Sequence, residues 1–266
     1  MNYNIYMARK WNKFEEEKYR QELYDLYIIQ NKTINEVAEI LKIKPQTVYD
    51  RLLRLDIKTC PEQKKKYQNR RSDIVIPKTY FPDLAEFFGI MLGDGSLSHF
   101  QTMVTLGIKE MSYAEYVARL MEKIFGVSAR IAIRGSGYKD VYIGSVELTN
   151  WLKKEGLVFN KVKNQVDVPK WIFSKKVYMR KFLKGFFDTD GSVYRLRFGI
   201  QIAFINFSLP ILNSLQTMLK KLLYKPSEIS SHKIYVTKRP EVIRFFKEIN
   251  PANKKHWQRF EKFINA

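Results

Sequence analysis

Two aspartates at matching places in the chain could hold a divalent cation between them. Asp94 and Asp190 are 96 residues apart (190 minus 94), and each follows an apolar stretch and precedes a glycine. If each stretch is a helix, its carboxylate lies at the helix C-terminus, where the helix dipole disfavours it by about 0.3–1 kcal/mol. Two such carboxylates brought together also repel each other. A hard ion such as Mg²⁺, which prefers clustered oxygen ligands, would offset both effects.

Small residues in the two stretches indicate that the helices pack against each other. Gly89 and Gly93 are four residues apart and share a helical face, and Gly185 and Thr189 occupy the matching places. One such pair is common in ordinary packing, but two at equivalent positions predict closely approaching backbones. We also expect the glycine after each aspartate to take the left-handed conformation that often ends a helix.

The elements around each aspartate repeat in the same order. Each half is predicted to run helix, two strands, helix, two-strand region and helix, the order αββαββα. After the aspartate helices, the predicted segments are 101–108, 113–125, 129–145 and 146–156 in the first half and 193–206, 210–223, 228–237 and 240–249 in the second. We therefore predict an α+β fold with two antiparallel sheets, in which halves 80–170 and 171–266 form a pseudo-twofold pair.

A different pattern precedes these halves. Thr33 and Glu36 form a capping-box pattern at the start of one short helix, and Pro45 suits the first turn of the next. Two short helices joined by a tight turn resemble a helix-turn-helix DNA reader, although a helical bundle without a DNA role is the alternative. Apolar residues expected to face inward are Val37, Ile40, Leu41, Val48, Leu52 and Leu55. Polar residues expected to face outward are Gln46, Thr47, Asp50, Arg51 and Arg54.

We assign residues 1–57 to this helical domain and 58–79 to a basic linker. The linker is interpreted either as a solvated tether or as an arm along phosphates.

Composition restricts the partners. The chain carries 47 Lys and Arg against 27 Asp and Glu, a formal charge of +20, which favours nucleic acid. No apolar run approaches the roughly 18 residues of a membrane span, and no signal peptide is evident. The single cysteine, Cys60, excludes an internal disulfide and a zinc site of several cysteines. Three scattered histidines (His99, His232 and His256) are expected at the surface or facing DNA. We expect an intracellular protein, cytoplasmic or organellar.

The segments 87–95 (FFGIMLGDG) and 183–191 (LKGFFDTDG) resemble the paired motifs of the LAGLIDADG homing endonucleases in their single-chain form. The resemblance covers about residues 80–266. It implies paired motif helices at a pseudo-twofold axis and two saddle-shaped sheets in the DNA major groove. It also implies a monomer that hydrolyses both strands of a long double-stranded DNA target with Mg²⁺, or Mn²⁺, whereas Ca²⁺ would bind without supporting cleavage.

The resemblance assigns roles to particular residues. It makes Asp94 and Asp190 the metal-binding acids, with the backbone of Gly93 and Thr189 near the metals. It places one basic residue near each active site, late in each half. Lys161 and Lys255 are the candidates, with Lys163 and Lys254 as close rivals. Lys109 and Asn206 match a polar position near the metal-bound water.

Two positions depart from the motif. Asp188 stands where the first motif has Leu92, so we interpret it as a helix-end or surface residue rather than a third ligand. Phe88 and Lys184 replace a small residue and are expected to point away from the partner helix.

Alternating strand residues are candidates for reading DNA bases, since Arg suits guanine and Gln suits adenine. In the first half, Arg130 and Arg134 are predicted to share a face opposite Ile131 and Ile133. In the second half, one predicted face carries Arg195, Arg197 and Gln201, and the other carries Leu196, Phe198, Ile200 and Ile202. A solvated outer face is the alternative.

Three functions fit the sequence. The first is a site-specific DNA endonuclease with an added helix-turn-helix domain. The second is a DNA-binding regulator that keeps the fold without cleavage, which the retained pair of acids disfavours. The third is an RNA-binding intron maturase, since basic surfaces bind both nucleic acids. We expect a freestanding protein rather than an intein, because the chain starts with Met1 and lacks a terminal His-Asn.

Overall fold

The computed structural model describes residues 13–57, 73–135, 137–197 and 199–264. The chain divides into two compact units, Met1–Gln68 and Asn69–Ala266. Cys60 and the linker up to residue 72 lie outside the described residues. Residues 73–79 of the predicted linker belong to the second unit, where Val75 donates a hydrogen bond to the Phe125 carbonyl (2.8 Å). No helix in the described ranges is long and apolar enough to cross a membrane.

The first unit is helical throughout its described part. Its elements are α1 (Lys13–Tyr24), a π-helical turn (Asp25–Ile29), α2 (Ile34–Leu41) and α3 (Pro45–Arg54). The capping box of Thr33 and Glu36 starts α2, and Pro45 occupies the first turn of α3. The small core contains Leu23, Val37, Val48, Leu52 and Leu55. Ile40, however, is 49% exposed, because the α2 face that is buried passes through Ala38 instead.

The second unit contains the remaining described elements. Its helices are α4 (Pro82–Leu92), α5 (Met111–Phe125), α6 (Val146–Lys154), α7 (Lys176–Asp190), α8 (Leu209–Lys221), α9 (Arg239–Ile249) and α10 (Lys254–Ile264). Its strands are β1 (Gly95–Leu97), β2 (Gln101–Gly107), β3 (Arg130–Ile133), β4 (Tyr138–Gly144), β5 (Gly191–Leu196), β6 (Gly199–Ile205) and β7 (Lys233–Val236). A 3₁₀ turn, Lys170–Ser174, precedes α7. The predicted α+β class is confirmed, and α10 is a helix that the sequence prediction did not include.

The strands form two antiparallel sheets. The first has the order β1-β2-β4-β3, and the second has the order β5-β6-β7. One face of each sheet joins a continuous core: Val104, Leu106 and Val141 in the first and Ile202 and Val236 in the second are almost inaccessible. The described residues of the second half thus give three strands where the first half gives four. Segment 228–237 forms one strand plus an isolated Ser230–Lys233 bridge.

Helices α4 and α7 pack against each other at the centre of this unit. Every residue of α4 from 84 to 92 is buried, and α7 buries most of its second half. A helix that is apolar on all sides is stable only when neighbours cover it completely. The core of the two halves is therefore one cluster, built around this helix pair.

Candidate active site

The two aspartates lie where α4 and α7 end together. Gly93 caps α4, with Asp94 directly after it, whereas Asp190 is the last residue of α7. A Cβ on Gly93 would overlap the Thr189 hydroxyl, so the two helix ends touch. The small residues therefore act as the sequence predicted, by letting the backbones approach.

The glycines that follow the aspartates have a different role from the predicted one. Neither Gly95 nor Gly191 has a positive φ, so the expected left-handed caps are wrong. A Cβ on Gly95 would overlap the Met91 backbone, and a Cβ on Gly191 would overlap the Phe187 carbonyl. Lack of space, as the chain turns sharply from helix into strand, explains both glycines.

Both aspartate carboxyls have raised pKa values. Burial, followed by repulsion from Asp94, raises the pKa of Asp190 to about 6. Burial likewise raises the pKa of Asp94, against the opposing charges of Lys255 and Lys161. Within the described parts of the chain, no group donates a hydrogen bond to the Asp94 carboxylate. Asp94 and Asp190 are therefore held close together with too few hydrogen bonds and too little positive charge to offset the burial of two carboxylates.

Lys161 reaches the end of α4 from its loop. Its ammonium donates hydrogen bonds to the carbonyls of Met91 (2.9 Å), Leu92 (3.3 Å) and Gly93. Burial lowers the pKa of Lys161 to about 8, against the attraction first of Asp190 and then of Asp94. The Lys161 ammonium thus binds the negative end of α4 and is also attracted to both aspartates. Its rival Lys163 is exposed.

Lys255, in the first turn of α10, lies near Asp94. Its ammonium pairs with Glu110 at 2.8 Å, and among the neighbouring charges it acts most strongly on Asp94. Glu110, the residue before α5, was missed by the sequence reasoning, which chose the exposed Lys109. Equal spacing gave a signal for it: Glu110 follows Asp94 by 16 residues, as Asn206 follows Asp190 (110 minus 94, 206 minus 190).

Asn206 contacts its aspartate directly. Its side-chain amide donates to the Asp190 carboxylate at 2.9 Å. Both residues line a cleft of about 380 Å³ together with Lys161, Gly93 and Thr189. The Thr189 hydroxyl donates back to the Phe186 carbonyl at 2.9 Å.

Asp188 is neither a surface residue nor a simple helix end. Its side chain is fully buried, and it accepts hydrogen bonds from the backbone N–H groups of Ala252 (2.9 Å) and Asn253 (3.0 Å). Burial raises its pKa to about 7, although these hydrogen bonds act in the opposite direction. The surface interpretation is wrong because its partners come from a loop 64 residues away (252 minus 188).

His256 also departs from expectation. It is fully buried and lies against Phe187, with ring centroids 4.6 Å apart. Burial lowers its pKa to about 3, so the ring stays neutral. The other two histidines, His99 and His232, are exposed as predicted.

Lys184 points toward the partner helix rather than away from it. Its ammonium lies 2.9 Å from Glu86 of α4 and 2.7 Å from the Tyr116 hydroxyl. Lys181 pairs with the same fully buried carboxylate at 2.8 Å. The long Lys184 side chain can reach across to α4, which the position of its Cα on the helix does not predict. Phe88 is buried against Trp171.

The donor set suits a hard cation. No cluster of three or more His, Cys, Asp or Glu side chains placed for a metal occurs among the residues that the structure describes. The available donors are the carboxylates of Asp94 and Asp190 and backbone carbonyls at the helix ends, whereas the Asn206 amide oxygen already accepts the Ser208 N–H at 2.8 Å. Oxygen donors fit Mg²⁺ or Ca²⁺, whereas zinc would favour Cys and His.

The outer face of the first sheet carries the DNA candidates of that half. Arg130 pairs with Tyr142 across β3 and β4, on the face opposite Val141, and is exposed. Arg134 follows the strand, and its guanidinium is bound by Asp140. Of the two arginines, Arg134 thus already has a carboxylate partner.

The predicted faces of the second sheet are wrong. Arg195 pairs with the buried Ile200, whereas Gln201 pairs with Tyr194 on the outer face. Leu196 pairs with Gly199, so the chain reverses direction between these two residues. Counting every second residue straight through this reversal assigns Arg195 and Gln201 to the same face, although they lie on opposite faces. Phe198 lies outside the described residues, and Arg197 stands in the turn. Outer-face residues that the sequence reasoning missed are Tyr194, Lys233 and Tyr235.

The candidates of the first unit differ in accessibility. Gln46 is exposed and donates to Asp50 at 2.9 Å, and Thr47 is half-buried. Arg51 does not face outward, since its guanidinium lies 4.6 Å from the Tyr19 ring centroid. Its aliphatic stem and planar head cover α1 instead.

Residues 177–250 match the family model of the LAGLIDADG-like domain. The replication factor C small subunit of Methanocaldococcus jannaschii is 30% identical over 115 residues, which is 43% of this chain but only 6% of that protein. Mesophilic variants of the homing endonuclease I-DmoI superpose with a TM-score of 0.45 at 14% identity, covering 63% of this chain and 94% of that one.

The N-terminal LAGLIDADG domain of DUF199/WhiA superposes with a TM-score of 0.47 at 16% identity, covering 65% of this chain and 86% of that one. The stretch that matches the family model contains the second motif, with Asp188, Thr189 and Asp190. Residues 177–250 are therefore similar to a LAGLIDADG-like domain.

Proposed function

We propose that this protein is a DNA endonuclease whose two aspartates hold Mg²⁺ and whose sheets bind double-stranded DNA. The observation that carries the proposal is the pair Asp94 and Asp190. Two packed helices deliver both carboxylates to one place, burial raises the pKa values of both, and repulsion from Asp94 raises the pKa of Asp190 further. Sites that keep such a costly arrangement are commonly functional. When bound, a divalent ion would supply an acidified water and neutralise charge on the scissile phosphodiester.

The side chains around the aspartates suit the same task. Asn206 holds one oxygen of Asp190 by its amide, which orients the carboxylate. Lys161 and Lys255 are cations on either side of the pair, able to stabilise charge that develops on a phosphate. Gly93 and Thr189 offer backbone oxygens at the rim of the cleft. Each half of the single chain contributes one aspartate, so the protein would act on both strands as a monomer.

DNA binding is proposed for the outer faces of the two sheets. They carry Arg130, Tyr142, Tyr194, Gln201 and Lys233, residue types that contact base edges and phosphates. The formal charge of +20 supplies the long-range attraction. We also propose that α2 and α3 act as a helix-turn-helix that contacts the target through Gln46 and Thr47.

Selection from a randomised duplex library tests the function. Incubation with Mg²⁺ should release fragments cut at one long site, and Ca²⁺ should give binding without cutting. The variants Asp94→Asn and Asp190→Asn remove one carboxylate charge each while keeping size, so each should abolish cleavage and retain DNA binding. Glu147→Gln, an exposed acid at the start of α6, is the matched control and should cut normally. Wild-type cleavage by either aspartate variant would rule out the shared site.

Non-cleaving DNA binding is the second candidate. The observation in its favour is that both lysines of the site already have hydrogen-bond or ion-pair partners without a metal. Lys161 already donates to the Gly93 carbonyl, and Lys255 is paired with Glu110. If the wild-type protein selects a specific duplex but leaves it intact with Mg²⁺ and with Mn²⁺, this candidate replaces the first.

A further inference from the structure

Asp188 is the buried start of a hydrogen-bonded chain that crosses between the two halves. One carboxylate oxygen accepts from the Ala252 N–H (2.9 Å) and the other from the Asn253 N–H (3.0 Å). Both N–H groups belong to the loop that leads into α10. Lys255 follows two residues after Asn253, in the first turn of α10, so the motif helix α7 holds the lysine-bearing segment by its backbone.

Asn253 continues the chain to the other half. Its side chain is 2% exposed, and its amide donates to the Asp188 carbonyl (3.1 Å) and to Glu110 (2.6 Å). Glu110 also accepts from the Gly107 N–H (2.9 Å) and pairs with Lys255 (2.8 Å). Burial of Glu110 disfavours its charge, but Lys255 and Asn253 outweigh that effect and lower its pKa. The lysine is therefore fixed from two directions, its own loop and a carboxylate of the first half.

The first motif lacks this device. Leu92 stands where the second motif has Asp188, and its side chain cannot accept a hydrogen bond. Lys161, the lysine of the other loop, instead donates directly to the end of α4. The two lysines thus reach the aspartates by different means, although their positions in the sequence correspond.

We propose that Asp188 is a positioning residue that fixes Lys255 beside Asp94 through Asn253 and Glu110. It touches no reacting atom. Its role rests on the proposed function, since the lysine acts on DNA only if the site cleaves. Lys255 depends on this series of hydrogen bonds and Lys161 does not. Loss of Asp188 should therefore slow the cleavage of the two DNA strands unequally.

Two variants separate positioning from folding. Asp188→Leu installs the residue of the first motif and removes both acceptors. Asn253→Ala keeps the backbone N–H groups that Asp188 binds but removes the amide that reaches Glu110. Asp188→Asn, which retains one carbonyl acceptor, is the conservative variant and should recover part of the loss. If Asp188→Leu does not fold, as judged by thermal melting, Asn253→Ala and Glu110→Gln carry the test.

The first readout needs no activity. Metal-free protein is treated with an amine-reactive reagent, and the acylation of Lys255 and Lys161 is followed by mass spectrometry. Acylation of Lys255 should become several-fold faster in Asp188→Leu and Asn253→Ala, while that of Lys161 stays unchanged. Unchanged Lys255 reactivity in folded variants would overturn the proposal, whether or not the wild-type protein cuts DNA.

The second readout is cleavage of a duplex labelled differently on each strand. Displacing a catalytic group by about 1 Å can slow a reaction roughly 100-fold, so one strand should be cut slower by that order while the other changes far less. Equal slowing of both strands indicates a general structural defect and contradicts the positioning role. Absence of wild-type cleavage at any target rejects the proposed function and leaves the labelling result to decide the role of Asp188.

Discussion

Gly89 of α4 and Gly185 of α7 meet each other's helix at equivalent points of the crossing. A Cβ on Gly89 would overlap the Phe182 carbonyl and lie 2.8 Å from the Phe186 nitrogen. A Cβ on Gly185 would overlap the Glu86 carbonyl and lie 3.0 Å from the Ile90 nitrogen. The two halves are 96 residues apart at each of these positions (185 minus 89, 182 minus 86, 186 minus 90). The helix pair therefore has a local twofold relationship at the level of backbone atoms.

Gly89→Ala should destabilise the protein by about 1–3 kcal/mol or more, because the overlapping atoms are backbone and cannot rotate away. Urea unfolding measures the change. Gly144→Ala is the control, since its added Cβ would lie 3.9 Å from the nearest atom. Equal losses in the two variants would show that the helix crossing tolerates an extra methyl group.

Glu86→Gln should cost about 3–5 kcal/mol, because it leaves Lys184 and Lys181 without their buried partner. The exposed pair of Glu115 and Arg119, 4.0 Å apart, is the matched control, and Glu115→Gln should cost less than about 1 kcal/mol. Chemical unfolding at two salt concentrations measures both. A Glu86→Gln loss as small as that of the control would mean that water replaces the carboxylate.

Asp190→Asn should stabilise the metal-free protein near neutral pH. The folded pKa of Asp190 is about 6, above its ordinary value of 3.8, so ionisation on raising the pH through this window disfavours the folded state. Melting temperatures in a chelator should therefore favour the variant above about pH 6, with the advantage shrinking toward about pH 4.

Saturating Ca²⁺ should reverse the order, since the proposed ligand is absent in Asp190→Asn. A variant that melts below the wild-type protein in chelator at neutral pH would contradict the sign of this effect.

Arg130→Ala should weaken DNA binding and lower the salt slope of the binding constant by about 1, if the arginine contacts one phosphate. Arg119→Ala removes an equal charge from α5, the helix that packs against β3 and β4, and should leave the slope unchanged. Titrations at several salt concentrations measure both slopes. Identical slopes for the two variants would place the DNA elsewhere.

Much of the fold follows from local pattern. The helices and strands of the second unit begin and end close to the predicted residues, because burial imposes periods of 3.6 and 2 on the sequence. The small residues Gly89 and Gly93, matched by Gly185 and Thr189, also predicted that α4 and α7 pack together. The prediction missed helix α10, although Trp257, Phe260, Phe263 and Ile264 lie at helical spacing and pack against the core.

The sequence alone determined the pair of aspartates, the small residues between their helices and the basic character of the surroundings. Only the tertiary structure decided the role of Asp188, whose partners Ala252 and Asn253 come from a distant loop. It also decided that Glu110, rather than Lys109, joins Lys255. Contacts between distant segments leave no period in the sequence. The reversal between β5 and β6 also places Arg195 and Gln201 on opposite faces, which counting alternate residues does not predict. For these reasons the acids, the two lysines and Asn206 could be found from the sequence, whereas the partners of Asp188 and the faces of the second sheet could not.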